Sequence, residues 1–218
     1  MSEIVLHNYW RSSTSYRVRI ALEMKGIGYR YVAHHLRHGG HLEASYLAVN
    51  PQGLVPALVW DDGTLITQSL AIIEFLDETR PEPPLLPPDA AGRARVRMLA
   101  QTVACDIHPV NNLRVLTSLR TVFGAGDQDI ANWFRHWVNE GFGPLEKILS
   151  SSAETGTFCH GDMPGLADIC LAAQVVNGAR FNVDMAPYPT IARIHAACMA
   201  LPAFAKAAPR NQPDAEQT

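Results

Sequence analysis

The chain has 218 residues, 47% of them hydrophobic, enough to bury the core of one large domain or two modest ones. Its formal net charge is -3, so no global field points to nucleic acid or to an anionic membrane, and any anion recognition must be local. The opening Met1-Ser2-Glu3-Ile4-Val5-Leu6-His7 lacks the basic region and long apolar run of a signal peptide, and no later stretch reaches roughly 20 uninterrupted apolar residues. The expectation is a cytoplasmic protein with neither membrane nor nucleic-acid partners. Ile4–Tyr9 reads as a strand, Ser15–Lys25 as a helix stopped by Gly26, and Tyr29–Ala33 as a second strand. A short helix near Leu42–Leu47 follows. Ala57–Trp60 and Thr64–Thr67 flank Asp61-Asp62-Gly63, a hairpin signal. Ser69 then caps a helix running to about Glu78. The order is β-α-β, short α, β-β-α.

The run Pro81–Pro88 cannot sustain a helix and marks a linker. Beyond it strand signals almost vanish, and helical runs follow at Ala91–Leu119, Gln128–Leu149, Leu166–Asn182 and Thr190–Met199. Residues Pro209–Thr218 are polar and read as frayed. The predicted organisation is a domain over 1–83, a linker over 84–90 and an all-helical domain over 91–218.

Cys105, Cys159, Cys170 and Cys198 include no C-x-x-C pair, which argues against a disulfide scaffold or a zinc ribbon. His34, His35, His38 and His41 fall close together, but without the accompanying pattern that fixes tetrahedral geometry, so they read as a polar loop and no metal is expected.

Three segments carry chemistry. Ser12-Ser13-Thr14-Ser15 sits where the first strand gives way to the first helix, so hydroxyls and orphan N–H groups can converge on an anion. Taken alone, such a run simply caps a helix. Gln68-Ser69 opens another helix, where the dipole again favours an anion. Arg11 directly precedes the hydroxyl run and has the planar fork that grips carboxylates. On the predicted helix after residue 91, His108, Asn111 and Arg114 step three residues at a time and could share one wall of a cleft, although Pro109 favours a kink there.

A mixed sheet of this order joined by a proline-rich linker to a helical half resembles the soluble glutathione transferases, whose first domain is thioredoxin-like. The residues that carry the resemblance are Arg11-Ser12-Ser13-Thr14-Ser15-Tyr16-Arg17-Val18-Arg19-Ile20-Ala21-Leu22, Asn50-Pro51-Gln52-Gly53-Leu54-Val55-Pro56-Ala57-Leu58, Gln68-Ser69 and Cys105-Asp106-Ile107-His108-Pro109. They are similar to the zeta class, which includes maleylacetoacetate and maleylpyruvate isomerases. The zeta pattern commonly has Cys where this chain has Thr14, and a Ser or Thr cap where it has Gly165.

The resemblance implies an α/β thioredoxin-like domain plus an all-α domain, glutathione as cofactor, a homodimer, and isomerisation of a small unsaturated diacid. Maleylacetoacetate in tyrosine breakdown comes first and maleylpyruvate in the gentisate route second, with conjugation or dehalogenation of halo-acids as a further alternative. It assigns thiol activation to Ser12, then Ser13 and Thr14, the cysteinyl main chain to Val55 beside a cis Pro56, and the γ-glutamyl carboxylate to Gln68 and Ser69. Gln52 and His41 are weaker candidates for the glycine end. His108 could orient glutathione, act as a proton relay or be structural; Arg11, Arg114, Arg180 and Asn111 would face the diacid. Arg17 and Arg19 are expected to be structural or interfacial. From another class comes a binding or assembly module on the same fold, which would show no glutathione binding.

Overall fold

A computed structural model describes residues 3–216. Their contacts form two compact units, one of residues 3–85 with 201–216 and one of residues 86–200.

The first unit is built on four strands, β1 (Val5–Asn8), β2 (Arg30–Ala33), β3 (Ala57–Val59) and β4 (Leu65–Thr67), in the order β2-β1-β3-β4. β1 pairs parallel with β2 and antiparallel with β3, and β3 pairs antiparallel with β4. Parallel strands need a crossover, which α1 (Ser13–Met24) supplies. Leu6, Ile20, Leu22, Leu58 and Ile72 are wholly buried and tie the sheet to α1 and to α3 (Ser69–Thr79). Gly26 stops α1 as expected: at φ 64° it lets the Ile27 N–H donate to Leu22 O at 2.9 Å. The hairpin turn also forms, with Trp60 N–H donating to Thr64 O at 2.8 Å and Thr64 N–H to Asp62 Oδ1 at 2.8 Å. The short helix α2 (Ala44–Leu47) lies within the expected segment.

Through residue 216 the C-terminal segment is not frayed. The short helix α10 (Pro202–Ala207) packs on α1, with the Tyr16 hydroxyl donating to Phe204 O at 3.0 Å, and Asp214 and Glu216 bond to groups near β1 and β2. Polarity suggested fraying, but side-chain acceptors specific to this segment outweigh it. Residues 217 and 218 lie outside the described range.

The second unit is helical: α4 (Ala90–Gln101), α5 (His108–Val110), α6 (Leu113–Phe123), α7 (Asp127–Ser151), α8 (Leu166–Ala179) and α9 (Pro189–Met199). The helical run expected over Ala91–Leu119 is broken at the proline that favoured a kink or break. Pro109 has no N–H to continue the ladder, and the chain widens into a π-helical stretch over Thr102–Ile107 in which His108 N–H donates to Val103 O. Asn112 then caps α6, its Oδ1 accepting from Arg114 N–H at 3.2 Å. Gly165 cannot cap by side chain, and Asp168 supplies the return bond alone, Gly165 N–H donating to its Oδ2 at 2.9 Å. The other oxygen of Asp168 accepts from Cys159 N–H at 2.8 Å, while burial raises this carboxyl above its usual range. Among the described residues no helix is long and apolar enough to cross a membrane.

Candidate active site

The hydroxyl run sits at the junction of β1 and α1. Ser12 is the N-cap, its Oγ accepting from Ser15 N–H at 3.1 Å. Thr14 Oγ1 lies 2.9 Å from Ser12 Oγ and donates to Val55 O at 3.0 Å. A hydroxyl has one proton, so with Thr14 committed to Val55 the Ser12 proton must point to Thr14. The resulting relay runs from the Ser15 amide through Ser12 and Thr14 to the Val55 carbonyl. Ser12 and Thr14 remain partly exposed, whereas Ser13 is buried. Of the two partly exposed hydroxyls, Ser12 is therefore the one whose proton is not committed to a backbone carbonyl and can be redirected by a stronger acceptor.

The loop opposite is held by Asn50. This buried amide accepts from Gln52 N–H at 3.1 Å and donates to Leu54 O at 2.8 Å, which fixes the backbone leading to Val55 and the cis Pro56 bond. Gly53, at φ 59°, allows the turn, and a side chain there would come within 3.2 Å of His41 O. His41 thus lies beside the loop, with Nδ1 buried and unpartnered and the imidazole pushed below its usual range by burial. Exposed Gln52 meets Gln68, whose Nε2 donates to Gln52 Oε1 at 3.4 Å.

Gln68 rather than Ser69 occupies the N-cap of α3, a correction to the expected capping. Its φ of 70° is a costly backbone state for a non-glycine residue, of order 1–3 kcal/mol. Ser69 is the first helical residue, and its Oγ accepts from buried Arg17 Nη1 at 3.4 Å. Its own hydroxyl proton is thereby left to donate to an anion at the helix N-terminus. Arg11 is half-buried, with its guanidinium 5.7 Å from the Trp10 ring.

Within this unit the structure therefore brings together Ser12, Thr14, Val55, Pro56, Gln52, Gln68, Ser69 and His41 through direct contacts or adjoining loops. The second unit treats its candidates differently. Arg114 and Arg180 are exposed, and Arg180 donates to Asn177 Oδ1 at 2.9 Å. Asn111 is only 5% exposed, and its Nδ2 points to Phe134 O at 3.5 Å. With the helix broken at Asn111 and restarted at Leu113, His108, Asn111 and Arg114 do not form the expected continuous wall. His108 lies 3.4 Å from the Asn112 amide nitrogen.

The histidine run has other partners. His34 Nε2 meets His7 Nδ1 at 2.9 Å, while His35 contacts Glu216 at 2.7 Å and caps His38. Among the described residues no three His, Cys, Asp or Glu side chains converge as metal ligands.

The description "Glutathione S-transferase, N-terminal domain" matches residues 11–79, which hold the hydroxyl run, the Asn50 loop and the α3 N-terminus. A maleylpyruvate isomerase from a Ralstonia species is 50% identical over 96% of this chain and 98% of its own length. A probable maleylacetoacetate isomerase from Vibrio cholerae is 49% identical over 99% of this chain and all of its own. This chain belongs to the zeta class of glutathione transferases. In fold it superposes with a TM-score of 0.95 on a holo maleylpyruvate isomerase described as a bacterial zeta-class transferase, at 48% identity, covering 97% of this chain and 100% of that one. A maleylacetoacetate isomerase from Methylobacterium extorquens, solved with malonate and glutathione, gives 0.95 at 45% identity, covering 98% of this chain and 100% of that one.

Two groups that bond to the loops around these residues were not singled out as functional from the sequence. Asn50 opens an Asn-Pro-Gln-Gly turn, a signal for an amide that bonds its own loop. The acidic Asp214 carries no such signal, because its partners are distant in sequence.

Proposed function

We propose that this chain isomerises a small cis-unsaturated diacid in a glutathione-dependent reaction, with maleylacetoacetate as first substrate and maleylpyruvate as the second reading. The observation that carries it is the relay from the Ser15 amide through Ser12 and Thr14 to Val55, on the same helix α1 whose Arg17 donates to Ser69 at the N-terminus of α3. Full-length relatives named for both isomerases support it, and the 50% identity to a maleylpyruvate isomerase keeps the second substrate in view.

The donor set fits glutathione. Val55, just before β3, offers main-chain groups to an extended tripeptide. Ser69 and the dipole of α3 suit the γ-glutamyl carboxylate, and Gln52 and His41 suit the glycine end. His41 Nδ1, buried without a partner, is an orphan that a ligand group can satisfy. Bound glutathione supplies a thiolate that adds reversibly to the activated double bond, allows rotation about it and leaves unchanged.

The chain's own residues prepare that chemistry. A hydrogen bond to an anion is worth roughly 1.5–3 kcal/mol, against about 0.5–1.5 for a neutral pair. The Ser12 proton is therefore better placed on a thiolate than on Thr14, and Thr14 keeps its bond to Val55. The helix dipole acts in the same sense, lowering the pKa of a thiol at this position. Arg11 takes one carboxylate of the diacid, and Arg114 and Arg180 are proposed for the remaining negative charge, including that of the developing enolate. Asn111 is buried and has no place in this set.

The same reading carries a homodimer, a cytoplasmic setting and a place in aromatic degradation. The test is an assay of both maleyl diacids with and without glutathione. Isomerisation requiring catalytic, unconsumed glutathione is expected; equal rates without it, or stoichiometric thiol loss, would refute the proposal. Sedimentation as a single 23.9 kDa chain would refute the dimer.

A further inference from the structure

The turn Tyr9–Arg11 carries one proposed site residue and leads directly into another, so its placement sets where Arg11 and Ser12 stand. Two groups hold it, Arg19 of α1 and Asp214 of the C-terminal segment. Arg19, wholly buried on α1, donates to Tyr9 O at 3.2 Å, Trp10 O at 2.9 Å, Asn8 Oδ1 at 2.9 Å and Ala207 O at 3.1 Å, which joins the turn to the end of α10. Further along, Asp214 uses both carboxylate oxygens. Oδ2 accepts from Trp10 N–H at 3.1 Å, and Oδ1 accepts from the Tyr31 hydroxyl. Ala215 packs on the cluster of Tyr9, Trp10, Tyr46 and Val55, to which the residue that Thr14 bonds also belongs.

Generic tail docking would need only the apolar contact of Ala215. A carboxylate whose two oxygens bridge a β2 side chain and the amide immediately before Arg11 does more, because it fixes that peptide in orientation as well as position. We infer that Asp214 is a positioning residue for the active site, holding the Trp10 peptide so that Arg11 and Ser12 are presented to ligand. The inference rests on the function proposed above. Glu216 acts on the same neighbourhood by charge: the His35 bond and the nearby His35, Arg37 and Arg11 charges hold its carboxyl below the usual range. Removing the whole tail would therefore change two things at once, and a single substitution is the cleaner probe.

The experiment compares Asp214→Ala, Asp214→Asn and Tyr31→Phe with the wild-type full chain. Amide hydrogen exchange at Trp10, Arg11 and Ser12 without ligand is expected to quicken roughly tenfold or more in Asp214→Ala, with other amides of β1 little changed. With glutathione and diacid, kcat/KM is expected to fall roughly tenfold, equivalent to about 1.4 kcal/mol. Asp214→Asn keeps one acceptor oxygen and should lie between. Tyr31→Phe removes one anchor of the carboxylate but leaves the Trp10 bond, and should lie between wild type and Asp214→Ala in both exchange and kcat/KM. A lower melting temperature for Asp214→Ala with unchanged exchange at residues 10–12, or faster exchange with unchanged kcat/KM, overturns the inference. A wild type without glutathione-dependent isomerase activity refutes the functional reading instead, and the exchange data still show whether Asp214 holds the turn.

Discussion

Besides the neutral bond to Thr14, replacing Ser12 by alanine removes two interactions of different kinds, and their sizes can be separated. The first is the cap: Ser12 Oγ accepts from Ser15 N–H at 3.1 Å. Its loss costs about 1 kcal/mol, which for a chain of this length lowers the melting temperature by roughly 2–4 °C. The second exists only with glutathione bound, when the hydroxyl donates to the sulfur anion. A hydrogen bond to a charged group is worth roughly 1.5–3 kcal/mol, and each pKa unit corresponds to about 1.36 kcal/mol, so the bound thiol should rise by roughly one to two units. At neutral pH kcat/KM should fall about 10- to 100-fold. Ser12→Gly distinguishes the two, because glycine caps a helix within a few tenths of a kcal/mol of serine yet offers no proton to sulfur. Thermal melts report the first loss, and ultraviolet titration of bound glutathione thiolate reports the second. If both variants bind glutathione with the thiol ionising as in wild type, the hydroxyl is a cap and nothing more.

Gly141→Ala should destabilise the second unit by about 1–3 kcal/mol, because a Cβ there would lie 2.3 Å from Ile107 Cδ1 and Cγ1 on the π-helical stretch; a denaturation midpoint equal to wild type would show that the stretch yields freely. Acid should weaken the fold through His7. Burial first, and then the neighbouring His34 and Arg30, depress its pKa from 6.5 to about 4. Between those values the unfolded chain binds the extra proton, so stability is highest above pH 6.5, falls as the pH drops through the window, and levels off below about 4. Because His7 is only half-buried, the loss should be roughly 1–2 kcal/mol after screening. Stability curves of wild type and His7→Gln that run parallel from pH 7 to 4 would refute that account.

Local chemistry was legible where neighbours in sequence decide it. The Asp61-Asp62-Gly63 turn, the stop at Gly26 and the cap at Ser12 each follow from residues within a few positions, and each forms. Pro109 was legible as a break, but not the π-helical form it takes, which depends on Ile107 fitting against Gly141 on another helix. The inward turn of Asn111 was likewise set by α7 rather than by its spacing from His108 and Arg114. Arg17 and Arg19 were expected to be structural or interfacial, and both are buried; only the fold shows that Arg19 collects carbonyls from the turn before the site and from α10. The clearest loss of legibility is the C-terminal segment. Pro202 at the first position of an Ala-rich run signals α10, yet nothing near Asp214 announces partners almost the whole chain away.

The return of residues 201–216 to the first unit has a consequence for synthesis. Arg19 leaves the ribosome early, but Ala207 O and the Asp214 carboxylate emerge only after the whole of residues 86–200. Until then the guanidinium lacks one of its acceptors and the Trp10 amide lacks its carboxylate, so the nascent first unit waits in an incomplete state while the helical unit is made. The hold on the turn before Arg11 is thereby completed only once residues 201–216 have followed the helical unit.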